Sequence, residues 1–119
     1  MMNPAVKESF HRKYRRVLGE VAKQLGLEKG RYKVRSNKGG FGILGDVTLH
    51  AERLYVKVGG SIVDPITTPK TDAYWCMYRS CKGLKDYIGG QNRWMGLDMF
   101  EPDRRDELLE RLRAAQGAS

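Results

Sequence analysis

The sequence predicts an α+β domain: a four-stranded, mainly antiparallel sheet with an N-terminal and a C-terminal helix packed on one face. Three observations predict it. The chain opens and closes on segments whose apolar residues recur at three- and four-residue steps. Between them lie runs that alternate in steps of two. The links between those runs are mostly short, as antiparallel neighbours require. At 119 residues the chain supports one core, so residues 1–119 are expected to form a single domain, frayed at 1–2 and 116–119.

The stretch from Asn3 to Gly26 reads as the first helix. Asn3 suits the cap, Pro4 the first turn and Gly26 the C-terminal stop. Val6, Phe10, Tyr14, Val17, Leu18, Val21 and Leu25 make one apolar stripe. At about 100° per residue, Arg12, Lys13, Arg15, Arg16 and Lys23 fall on the opposite side. His11 falls at the border of the stripe and is expected at the surface or at its boundary.

The first strand is RYKVRS, with Tyr32 and Val34 on one face and Lys33 and Arg35 on the other. NKGG then signals a turn. GDVTLH and RLYVKVG form a hairpin. Val47, Leu49, Leu54, Val56 and Val58 are its buried set; Asp46, Thr48, His50, Tyr55 and Lys57 face the other way. GSIVDPITTPKTD carries two prolines and reads as a long connection. AYWCMYRSCK is the fourth strand. Large side chains occupy both of its alternations, so either Trp75 and Met77 or Tyr74, Cys76 and Tyr78 are buried. The final helix follows in EPDRRDELLERLRAA, with acids in its first turn and Leu108, Leu109 and Leu112 turned inward.

Two helices on one face leave the other bare. Lys33, Arg35, Thr48, His50, Tyr55, Lys57 and either Tyr78 or Arg79 would line it. Charge points the same way. The net charge is +8, and residues 1–40, with eleven Lys/Arg against three Asp/Glu, carry that whole excess. Such asymmetry suits an anionic partner.

The segment CKGLKDYIGGQNRW, Cys81 to Trp94, adds Lys82, Lys85, Tyr87, Gln91, Asn92, Arg93 and Trp94. It admits two readings. As a contact loop it offers cations, aromatics and the Gly89–Gly90 backbone to a phosphate. As a plain wide turn, Asn92 bonds its own backbone and Tyr87 and Trp94 close the core edge.

Several classes are disfavoured. Cys76 and Cys81, five apart on a strand, would lie roughly 17 Å from each other. A disulfide needs about 7 Å. No second pair of zinc ligands accompanies them, so two reduced, partly buried thiols are expected. Asp46 and Lys57 suggest a metal-dependent nuclease, but the position two before Lys57 is Tyr55, not an acid. G-x-S-x-G and phosphate-binding glycine motifs are missing. No RNA-recognition, zinc-finger or helix-turn-helix signature occurs. The start has no apolar core of a signal peptide, and no run is long enough to span a membrane.

The expectation is a cytoplasmic, non-catalytic protein without cofactor or metal, binding nucleic acid or a nucleic-acid-associated protein. The helix cations attract; Lys33, Arg35, Tyr55, Lys57 and the 83–94 loop make contact. The rival is a protein–protein adaptor or inhibitor of a nucleoprotein complex, acting through the bare sheet face as a homodimer.

Overall fold

The computed structural model describes residues 4–39, 44–60, 74–88 and 90–117. The elements are α1 (Pro4–Gln24), β1 (Tyr32–Asn37), β2 (Gly45–Ala51), β3 (Leu54–Gly60), β4 (Tyr74–Ser80), β5 (Arg93–Met95) and α2 (Arg105–Gly117). The strands form one antiparallel sheet in chain order, β1-β2-β3-β4-β5.

The α+β class holds, with one strand more than expected. β5 falls at the end of the stretch read as a loop. Three residues cannot display a period of two, so only pairing reveals them: Met95 lies opposite Cys76 and Trp94 opposite Met77.

Both helices cover one face. α1 packs on β1 and β2, and α2 on β4 and β3. Leu18, Val21, Leu108 and Leu112 meet Leu49, Val56, Val58 and Cys76 in a single core. Burying such side chains is the main source of stability. Register settles the alternation in β4. Cys76 and Tyr78 stand beside the buried Val58 and Val56 on the helix side. Tyr74 joins them there, its ring 6.0 Å from that of Phe10. Trp75, Met77 and Arg79 therefore point to the helix-free side.

Three local expectations change. His11 is fully buried rather than at the surface, because its Nε2 donates to the Leu44 carbonyl at 2.7 Å, so this border position faces the sheet. The final α-helix starts at Arg105, after two 3-10 turns, Leu97–Phe100 and Pro102–Arg104. It runs through Gly117, so residues 116–117 are helical. At the end of α1, Gly26 takes φ +77° and Arg113 donates to the Gln24 carbonyl at 3.1 Å, satisfying an orphaned acceptor. The Asn3 cap, Gly89, most of the proline-bearing connection, and the termini at 1–2 and 118–119 lie outside the described residues.

A candidate nucleic-acid interface on the helix-free sheet face

Direct cross-strand partners share a face, so the register assigns the helix-free side row by row. One row runs Arg35–Thr48–Lys57–Met77–Trp94 across all five strands. Four ladder steps at about 4.8 Å make it about 19 Å long. On one side of it lies Lys33–His50–Tyr55–Arg79, and on the other Asn37–Asp46–Gly59–Trp75.

The aromatic end of this face is built deliberately open. Trp94 is 63% exposed and meets Trp75 edge to face, with centroids 5.6 Å apart. Trp75 in turn lies over Gly59. A Cβ there would come within 2.5 Å of the indole Cζ2, so only glycine admits this seat. Met77 is sunk between Lys57 and Trp94 at 5% exposure.

The His50–Tyr55–Arg79 part of this second row is closed where open surface was expected, while Lys33 stays exposed. Tyr55 is buried, because Arg79 lies over its ring at 4.6 Å and Tyr87 leans on it from the loop. His50 is buried too; it contacts both tyrosine rings and its Nε2 donates to the Gly83 carbonyl at 3.0 Å. Arg79 holds the loop from beneath, donating to the Tyr87 carbonyl and, at 3.2 Å, to Asn92 Oδ1. Asp86 adds an internal turn by accepting from the backbone N–H groups of Lys82 and Ile88. Thus Asn92 binds Arg79 rather than its own backbone. Residues 83–88 and 90–92 are anchored in this way, with Tyr87 half exposed and Ile88 87% exposed.

Electrostatics separate the two ends. Lys33 and Arg35 are exposed and Lys57 is half-buried. Asp46, beside Lys57, is 4% exposed; burial pushes its carboxyl up, against the pull of Lys57 and His11. Burial likewise raises the Tyr55 hydroxyl and the thiols of Cys76 and Cys81. Both cysteines are free and buried, and Cys81 Sγ donates to the Ala51 carbonyl.

The remaining candidates do not converge on this face. Arg12, Arg15, Arg16 and Lys23 project from α1, on the far side of the sheet. Arg15, Arg16 and Lys23 border a groove between α1 and β1; Lys13 lies on the other flank, beside an apolar recess with Phe10, Tyr14 and Tyr74. Gln91 and Arg93 line a recess with Ala115 on the helix side. Lys82 borders the Glu52–Arg53 turn, and Lys85 is exposed on the loop. The sequence reading left the side of Trp75 and Met77 open and missed the anchoring role of Arg79. The signal was present: carrying Lys57's alternation across the β3–β4 pair selects Met77 and its neighbours.

Among the described residues no three His, Cys, Asp or Glu side chains gather as a metal-binding group, and no helix is long and apolar enough to cross a membrane. The arrangement defines an antiparallel α+β sheet protein with one cationic–aromatic face. No family model, curated protein or solved structure matches the chain.

Proposed function

We propose that the chain is a non-catalytic nucleic-acid-binding protein that takes a single strand across its helix-free face. The observation that carries this reading is the Arg35–Trp94 row, with cations at one end and an exposed indole at the other. Arg35 and Lys57, with Lys33 beside them, neutralise phosphates; Trp94 stacks on an unpaired base. Bases in a duplex are already stacked and offer Trp94 no face. The α1 cations, on the opposite side, supply long-range attraction.

The test is anisotropy of labelled oligothymidine, its RNA equivalent and a duplex, across a salt series. The single strands bind, and log affinity falls with log salt by about 0.7 for each phosphate neutralised. Trp94→Ala weakens single-strand binding roughly tenfold or more, given about 1–3 kcal/mol per stacked base. Arg12→Glu with Arg16→Glu lowers the salt slope. Tighter duplex binding that ignores Trp94→Ala contradicts the reading.

Ile88 favours a second reading. An aliphatic side chain 87% exposed beside Tyr87 offers nothing to a phosphate, but is what a protein interface covers. A protein adaptor or inhibitor acting here binds with little salt dependence and loses its partner on Ile88→Asp.

A further inference from the structure

The second cationic region is an edge, not a face. β1 is the outermost described strand on one side of the sheet, so among the described residues the outward backbone N–H and C=O groups of alternate residues between Tyr32 and Asn37 have no strand partner. Beside it runs a groove of about 650 Å³ between α1 and β1, floored by Leu27, Tyr32 and Val34 and rimmed by Arg15, Lys23 and Lys29. Lys33 and Arg35 flank the same strand on its other side. Among the described residues Arg15, Lys23, Lys29, Lys33 and Arg35 form no ion pair. Arg16, also at the groove, is matched by Glu20 at 2.9 Å.

A second copy of the chain fits this edge poorly in its central registers. Two β1 strands related by a two-fold axis place Arg35 opposite Arg35, or Lys33 opposite Arg35 in the next register. Like charges directly opposite destabilise a strand pair. The same cations that bar self-pairing select for the opposite sign.

We infer that the β1 edge docks an extended acidic segment of a partner protein, added as a sixth strand with acidic and apolar residues in alternation. Its acidic side chains lie beside Lys33 and Arg35. Its apolar side chains enter the groove against Tyr32, Val34 and Leu27, within reach of Arg15, Lys23 and Lys29. The backbone ladder supplies affinity and the alternation supplies specificity. A nucleic-acid backbone satisfies the cations and can accept from single strand N–H groups, but it carries no in-register row of alternating donors and acceptors to match the strand's N–H and C=O groups, which is why the edge favours a peptide. This site shares Lys33 and Arg35 with the helix-free face but is built on the β1 edge and its groove, so it does not rest on the nucleic-acid reading.

The experiment uses the full chain and a labelled peptide of alternating Glu and Val. It is compared with a block-sequence peptide of the same composition and with a peptide N-methylated at alternate backbone nitrogens. The alternating peptide is expected to bind and to slow hydrogen exchange in residues 32–37. The other two should bind at least tenfold more weakly. Lys33→Glu with Arg35→Glu should abolish binding and admit a Lys/Val peptide instead, which also shows that the variant is folded. Equal binding of all three peptides, or no binding of the alternating one, overturns the inference.

Discussion

The guanidinium of Arg79 lies over the ring of Tyr55, 4.6 Å from its centroid, and from that position it grips the loop above. The pair and Tyr87 above it cover the His50–Tyr55 part of the sheet face.

Arg79→Ala should therefore free the 83–92 loop. It removes two charge-assisted hydrogen bonds and a cation–π contact, for a stability loss of about 2 kcal/mol. Urea denaturation checks the magnitude. Hydrogen exchange should quicken at 83–92 and not in α1. Arg79→Lys keeps the charge but cannot bond Tyr87 and Asn92 together, so it should resemble Arg79→Ala.

Gly59→Ala tests the seat of Trp75. The added methyl overlaps the indole, so the ring must move or the strands must part, at a cost of about 1–3 kcal/mol. The melting temperature should fall and tryptophan emission should shift. An unchanged spectrum and melting curve would show that Trp75 is not held there.

Asp46 predicts a pH effect of definite sign. Burial raises its carboxyl in the fold, so the folded state holds the proton more tightly than the unfolded chain does. Its ionisation therefore costs stability as pH rises from the unfolded carboxylate range through the folded value. Asp46→Asn should match the native chain in strong acid and exceed it near neutrality. A smaller stability for the variant at neutral pH would mean that the carboxylate is favourably paired.

The thiols give a chemical check. Cys76 and Cys81 are at most 1% exposed, and burial raises both above the usual thiol range. Neither should react with a maleimide in the native state; both should react in urea. Rapid native labelling at Cys81 would show the end of β4 to be open.

Much of this was legible in the sequence, for identifiable reasons. α1 declares itself because it buries one face against solvent on the other; the β2–β3 hairpin is buried on both faces, yet its alternation stays readable because Asp46, Thr48, His50 and Lys57 on the helix-free side are polar. β4 does not, since core residues such as Cys76 and Tyr78 alternate with Trp75 and Met77, which cover the other face. β5 is shorter than its own period. The closure of Tyr55 was not readable either, because it depends on Arg79 and Tyr87 meeting across a loop. The charge asymmetry marked α1 and β1 correctly as a cationic region. It could not show that the sheet divides those cations between two sides.

Single-tryptophan fluorescence tests the central claim most directly. Of the two tryptophans in the chain, Trp75→Phe leaves Trp94 alone. Titrating this protein with oligothymidine should quench its emission strongly and saturably, while a duplex of equal charge should leave it nearly unchanged. If the oligonucleotide binds by anisotropy and Trp94 emission does not move, the single strand does not cross the helix-free face.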